Sequence, residues 1–172
     1  MLYTRTGDGG TSGLFGTTER FAKDNAVYDA LGTLDELNSL LGVCRARVGA
    51  LSVARDILAA QQTLFVVQAE LAGAAKRVTQ GDVDALETTI GRLEMLIERP
   101  RGFVVPGANE LSALFDHARA VCRRAERAVV GAARTWRVSP AARAYLNRLS
   151  SLLYVLARCA ATAQGAEHRP TY

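Results

Sequence analysis

The chain of 172 residues has two lysines, two histidines, three cysteines and four prolines, and aromatic residues make up 6% of it. Each scarcity excludes a class of function. The two histidines, His117 and His168, are too few for a metal centre, and no nucleophile stands at a spacing that would make a Ser/His/Asp or Cys/His arrangement, so acid–base hydrolysis has no support. Cys44, Cys122 and Cys159 are odd in number, far apart and set inside apolar helical patterns. They read as buried free thiols of a reducing compartment, without disulfide or metal-ligand spacing. The net charge is +4 and the pI near 9.2, yet acidic and basic residues are interleaved and so few aromatics offer no stacking platform, which argues against nucleic acid. No run of about 18 apolar residues exists to span a bilayer. The opening Met-Leu-Tyr-Thr-Arg-Thr-Gly-Asp carries no apolar leader, and a cytoplasmic location is the expectation. Strand-like alternation and internal repeats are also lacking.

What remains is a chain 49% hydrophobic, long enough for one domain over residues 1–172 with a real core. Apolar spacings of three and four predict five helices. The first is capped by Asp24 and carries Val27, Leu31, Leu34, Leu37 and Leu41 to near Gly49. The second, capped by Ser52, runs through Ile57, Leu58, Leu64, Phe65, Val67 and Leu71. The third starts from Asp82 and carries Val83, Leu86, Ile90, Leu93 and Ile97. Asn109 caps a fourth that reaches about Trp136, and Ser139 with Pro140 opens a fifth through Tyr145, Leu149, Leu152, Leu153 and Leu156. Between the third and fourth, Phe103-Val104-Val105 forms a strand-like loop bounded by Pro100 and Pro106. The expected fold is all-α: a five-helix up-and-down bundle over 23–164, with helices of about 16 to 28 residues crossing near 20°, a glycine-rich arm over 1–22 and a flexible tail over 165–172. Because Leu146, Leu149, Leu152, Leu153, Val155, Leu156, Tyr145 and Tyr154 make the fifth helix apolar on more than one face, a second subunit is expected to cover part of it.

Nearly all the positive charge is arginine, nineteen residues in all. In the fourth helix Arg119, Arg123 and Arg127 are four apart and therefore stack on one face along ~12 Å of axis. Such a row is either a solvated face or an anion site, since guanidinium forks match phosphate oxygens bidentately and keep their charge. The arm segment Thr4-Arg5-Thr6-Gly7-Asp8-Gly9-Gly10-Thr11-Ser12-Gly13 offers unobstructed N–H groups, hydroxyls and a cation. Those are the ingredients of a phosphate cradle, although a disordered tail has the same composition and the Gly-Lys-Ser/Thr ending of a P-loop is missing. Lys23 stands where the arm joins the first helix. Asp35 and Asn38 share one side of that helix, able to pair with an arginine of the fourth or to meet a ligand. Asn147 sets an amide among apolar neighbours, where it needs a partner on a ligand or on a neighbouring helix.

Five segments, taken in order, carry a resemblance. Thr-Arg-Thr-Gly-Asp at 4–8, Gly-Thr-Leu-Asp-Glu-Leu-Asn-Ser at 32–39, Phe-Val-Val-Pro-Gly at 103–107, Cys-Arg-Arg-Ala-Glu-Arg at 122–127 and Tyr-Leu-Asn-Arg-Leu-Ser at 145–150 resemble the ATP:cob(I)alamin adenosyltransferases of the propanediol-utilisation type, over about residues 3–160. The resemblance implies a homotrimer with ATP and corrinoid bound where subunits meet, and Mg2+ accompanying the nucleotide. It implies ATP on Thr4, Arg5, Thr6, Gly7, Asp8, Ser12, Gly13, Lys23, Arg123, Arg124, Ala125, Glu126 and Arg127, with Asn147 completing the site. It implies corrinoid on Asp35, Phe103 and Arg119, with Arg123, Arg127, Asp35 and Phe103 as the catalytic set. Phe103 matches the aromatic that displaces the lower axial ligand of cobalt, and Asp35 the acid that pairs with Arg123 beneath the corrin. The implied reaction is attack of Co(I) on the ribose 5′ carbon with loss of triphosphate, giving adenosylcobalamin for a dependent enzyme. An ATP-gated adenosylcobalamin carrier with little turnover is the alternative. The chain departs from the family pattern with Phe115-Asp116 where Leu-His is usual, Ser151 where Asp follows Asn-Arg-Leu-Ser, and Ala26 in place of an arginine. These departures are expected to bear on helix pairing, subunit contacts or corrinoid preference.

Overall fold

The computed structural model describes residues 3–98, 100–162 and 169–171. Five helices follow one another along the chain: α1 (Ala26–Arg47), α2 (Leu51–Leu71), α3 (Gln80–Glu94), α4 (Glu110–Ala132) and α5 (Pro140–Thr162). Before them stand two short strands, β1 (Thr11–Gly13) and β2 (Arg20–Ala22), paired antiparallel with Ser12 opposite Phe21. The arm is therefore a hairpin, which the absence of alternating apolar residues had hidden. Most of the expected tail lies outside the described residues.

The helix starts follow capping chemistry more closely than apolar spacing. Asn25, not Asp24, caps α1, its side chain accepting from the N–H of Val27 at 3.1 Å. Helix α2 begins after Ala50 without a side-chain cap, so Ser52 lies inside its first turn. Helix α3 starts at Gln80 because Thr79 and Asp82 close a capping box: the Asp82 N–H donates to Thr79 Oγ1 at 3.2 Å, and the Thr79 N–H to Asp82 Oδ2 at 2.8 Å. At 15 residues α3 is shorter than expected, and Ile97 falls beyond it. Asn109 caps α4 as expected, accepting from the Ser112 N–H at 2.9 Å, but the helix ends at Ala132 and a turn carries the chain to Trp136. Ser139 Oγ accepts from the Ala142 N–H at 3.1 Å, with Pro140 as first residue of α5. Residues 103–105 form coil without a ladder partner.

Side-chain pairs between helices give their directions. Arg47 with Glu110 and Arg124 with Glu36 run α1 against α4. Asn147 with Glu126 and Arg158 with Asp116 run α4 against α5. Arg148 pairs with Glu87 and, further along both helices, Cys159 Sγ donates to the Leu93 carbonyl, so α3 runs parallel to α5. Direction alternates along the chain, as in an up-and-down bundle. Leucines of α1, α2 and α5, with Phe115 of α4, fill the centre, each full burial contributing about 2 kcal/mol.

Helix α5 corrects an expectation. Its residues Tyr145, Leu146, Leu149, Leu152, Leu153, Val155 and Leu156 are all 3% exposed or less, closed over by α3 and α4 of the same chain. The helix is apolar on several faces because α3 and α4 enclose those seven side chains within the chain; Tyr154, the eighth, is left half-buried. Large apolar side chains left in solvent lie elsewhere, among them Leu51, Leu58 and Phe65 at seven-residue spacing on α2, Met95, Leu96 and Phe103 after α3, and Tyr3 and Phe15 in the arm. One acid, Glu70, is buried without any signal in the apolar spacing. Glu70 accepts from the N–H groups of Val78 at 3.1 Å and Ser139 at 2.5 Å, pinning the entrances of α3 and α5 to the end of α2.

Candidate functional site

The arm is a folded loop. Arg20 of β2 donates from Nη2 to the carbonyls of Thr6 at 2.7 Å and Thr11 at 2.9 Å, and from Nε to Thr11 Oγ1 at 3.1 Å. The Tyr28 hydroxyl of α1 donates to the Ser12 carbonyl at 2.5 Å. Two turns follow each other, with the Asp8 N–H on the Arg5 carbonyl and the Gly10 N–H on the Gly7 carbonyl, both at 3.2 Å. Arg5 holds φ at 60°, a left-handed conformation costing a non-glycine residue on the order of 1–2 kcal/mol. Gly7 packs against the end of Lys23: a Cβ there would stand 3.2 Å from Lys23 Nζ, close enough to displace the flexible lysine tip. Thr4, Arg5, Thr6, Gly7, Asp8, Ser12, Gly13 and Lys23 thus belong to one loop system with hydroxyls, free glycine backbone and a lysine ammonium beside it. Its seat is the end of the bundle, where the Phe21 ring meets Trp136 edge-on with centroids 5.1 Å apart.

On α4, Arg123 and Arg127 are exposed and Arg119 is half-buried, its Nε enclosed without a hydrogen-bond partner. The helix period that lines up these three turns their neighbours away. Ala125 faces the core and its side chain is out of reach of any ligand, while Arg124 turns towards α1 and pairs with Glu36. Glu126 accepts from Asn147 Nδ2 at 3.0 Å, and Asn147 Oδ1 accepts from Arg148 Nη1 at 2.7 Å. Both ends of the Asn147 amide are therefore engaged in the chain itself. Asp35 is exposed and makes no ion pair within the described residues, so the pairing with Arg123 implied by the resemblance is not formed inside one chain; the adjacent Glu36 is the acid that faces α4. Asn38 is buried, its backbone carbonyl accepting from Gln61 Nε2 at 3.0 Å.

Two cavities meet along α4 and α5. One, of about 600 Å³, is walled by Arg119, Arg123, Ser150, Ser151 and Tyr154. The other, of about 470 Å³, is walled by Phe103, Asp116, Arg119, Tyr154 and Arg158. Arg119 and Tyr154 belong to both. Phe103 stands 80% exposed at the second cavity, and beneath it Arg158 Nη2 donates to Asp116 Oδ2 at 2.6 Å, with the guanidinium over the Tyr154 ring at 5.3 Å from its centroid. Two of the departures thus have places: Asp116 pairs α4 with α5, and Ser151 lines the first cavity. Ala26 is the exposed first residue of α1. Among the described residues no hydrogen bond or ion pair joins residues 3–24 to Arg119, Arg123 or Arg127.

The remaining titratable groups supply no nucleophile. Burial pushes the Cys44 thiol up to about 11 and raises Cys122 and Cys159 as well, which keeps them protonated near neutral pH. Burial likewise lifts the Tyr145 phenol to about 12. Among the described residues no group of three or more His, Cys, Asp or Glu is placed to hold a metal ion, and no helix is long and apolar enough to cross a membrane.

Comparison with known proteins agrees with this geometry. The sequence profile described as cobalamin adenosyltransferase matches residues 2–160. A corrinoid adenosyltransferase of Citrobacter freundii is 42% identical over 164 residues, which cover 91% of this chain and 93% of that protein. The corrinoid adenosyltransferase PduO of Salmonella typhimurium is 38% identical over 91% of this chain, which spans 48% of that longer relative. In three dimensions a PduO-type ATP:corrinoid adenosyltransferase variant from Lactobacillus reuteri, solved with cobalamin and ATP, is similar with a TM-score of 0.88 at 26% identity, covering 97% of each chain. With an all-α bundle of five helices, an ordered glycine-rich arm and a match that spans nearly the whole chain, the protein belongs to the cobalamin adenosyltransferase family.

Proposed function

We propose that the protein transfers the 5′-deoxyadenosyl group from ATP to the cobalt of cob(I)alamin, releasing triphosphate. The observation that carries this reading is the pair of neighbouring cavities, one walled by Arg123 and the other by Phe103, with Arg119 and Tyr154 lining both. The nucleophile is the substrate's own Co(I): its electron pair forms the Co–C bond, the C5′–O bond breaks, and triphosphate departs with the bonding pair. That chemistry requires no general acid or base from the protein. What the protein supplies is charge and position. Arg123, Arg127 and Lys23 stabilise the negative charge gathering on triphosphate, single donors of this kind being worth about 3–4 kcal/mol. Phe103 keeps the lower face of the cobalt dry.

Mg2+ would be held chiefly by the phosphates, with the arm hydroxyls of Thr4, Thr6 and Ser12 as the available oxygen donors. The arm and the α4 arginines share no hydrogen bond or ion pair among the described residues, and Met95, Leu96 and Phe103 are left in solvent. A homotrimer in which the arm of one subunit faces α4 of the next accounts for both, and gives Asp35 access to an arginine of its neighbour. The setting is the cytoplasm, and the product passes to an adenosylcobalamin-dependent enzyme.

The test is one assay with purified protein, MgATP and chemically reduced cobalamin, followed at the absorbance bands of the Co–C product. Many turnovers per subunit are expected. Product that stops at one equivalent replaces the transferase with a carrier, and no product at all ends both readings.

A further inference from the structure

We propose that Asp116 is a positioning residue that sets the charge of the wall against which the corrinoid binds, an inference that rests on the corrinoid occupying the Phe103 cavity. That wall carries two guanidinium groups, Arg119 and Arg158, and one carboxylate, Asp116. Asp116 and Arg158 are 6% and 2% exposed, joined at 2.6 Å. A buried pair of this kind contributes little to stability beyond what apolar side chains of similar volume would give. Its placement is what needs a reason. It lies in the cavity wall, and the Arg158 guanidinium is seated on the Tyr154 ring that both cavities share. Reduction of Co(II) to Co(I) adds an electron to the bound corrinoid, so positive wall charge favours the Co(I) form and negative charge opposes it. Excess positive charge would hold Co(I) in a deep ground state and weaken its attack on the 5′ carbon. Asp116 fixes Arg158 in place and offsets part of that charge.

The experiment measures the midpoint potential of the Co(II)/Co(I) couple of cobalamin bound to the full chain. Titanium(III) citrate is the reductant, and magnesium with inorganic triphosphate replaces ATP so that no transfer occurs. Asp116→Asn makes the wall more positive and should strengthen binding of Co(I) relative to Co(II) by roughly tenfold, moving the potential up. Arg158→Gln makes the wall less positive and should move it down. Shifts in the same direction, or none in either variant while corrinoid still binds, overturn the inference and leave the pair a packing element. If Asp116→Asn does not fold, Arg158→Gln is read against Asp116→Glu: a downward shift for the first and none for the second support the proposal, and any other pattern overturns it. Failure of the unmodified protein to bind cobalamin ends the parent reading itself.

Discussion

Replacing Arg123 or Arg127 with alanine separates catalysis from folding. Both guanidinium groups are exposed on α4, and neither forms a hydrogen bond or ion pair among the described residues. Their truncation therefore removes no packing and leaves no buried group unsatisfied, and alanine is at least as good a helix former. Stability should change by no more than about 0.5 kcal/mol, which at this chain length moves the Tm by roughly 2 °C or less. The reaction gathers negative charge on triphosphate as the C5′–O bond breaks, and loss of one positioned donor typically costs about 3–4 kcal/mol of transition-state stabilisation. At about 1.4 kcal/mol per decade, kcat should fall between about 10²-fold and 10³-fold. Arg127→Lys keeps the charge but not the fork, and should fall in between. The assay is initial-rate formation of adenosylcobalamin under saturating MgATP, alongside thermal melts of the same preparations. Both alanine variants within about threefold of the unmodified rate, or losses that track a lowered Tm, would refute the assignment of this face to the leaving group.

Glu70→Ala strands the N–H groups of Val78 and Ser139 in the interior and should cost about 3 kcal/mol, a Tm drop of roughly 10 °C, seen in a thermal melt. Gly7→Ala puts a Cβ 3.2 Å from Lys23 Nζ. The flexible lysine end yields, so the melt should be unchanged while KM for ATP rises, and an unaltered KM would remove Lys23 from the phosphate site. The raised thiol pKa values of Cys44 and Cys122 lie above the ordinary 9.0 of an exposed thiol. Their contribution is complete below pH 9 and is lost as pH climbs from there through the folded-state values. Denaturant melts from pH 8 to 10.5 should show a stability decline that Cys122→Ala makes shallower. Bound MgATP should protect residues 3–24 from limited proteolysis, and cleavage at the same rate with and without nucleotide would exclude the arm from the site.

Capping and helix period were read correctly where one residue decides them. Asn109 and the Ser139-Pro140 pair mark helix starts that depend on a single side chain beside a backbone N–H. The start of α1 differs by one residue because Asp24 and Asn25 stand side by side and only the folded backbone chooses between them, and that of α3 because Asp82 is the inner member of a capping box whose outer member is Thr79. The hairpin of the arm went unread for a different reason: it is held by Arg20 on the carbonyls of Thr6 and Thr11, and such a clamp leaves no hydrophobic pattern. Ala125 and Arg124 adjoin Arg123 and Arg127 in sequence but not on the helix face. Each helix residue turns by 100°, and the packing of α1 and α5 against α4 sends those two elsewhere.

By itself the sequence determined the helical class, the number of helices, the row of Arg119, Arg123 and Arg127, and the motifs that mark the family. All of these are written in spacing and residue type along one chain. Only the tertiary structure decided that α5 is enclosed by α3 and α4, that Glu36 and not Asp35 faces α4, and that Asp116 and Arg158 form a buried pair under Phe103. The physical reason is the same in each case. Which apolar face becomes interior, and which two distant charges end up neighbours, depends on how whole helices pack against one another, and no local pattern contains that information.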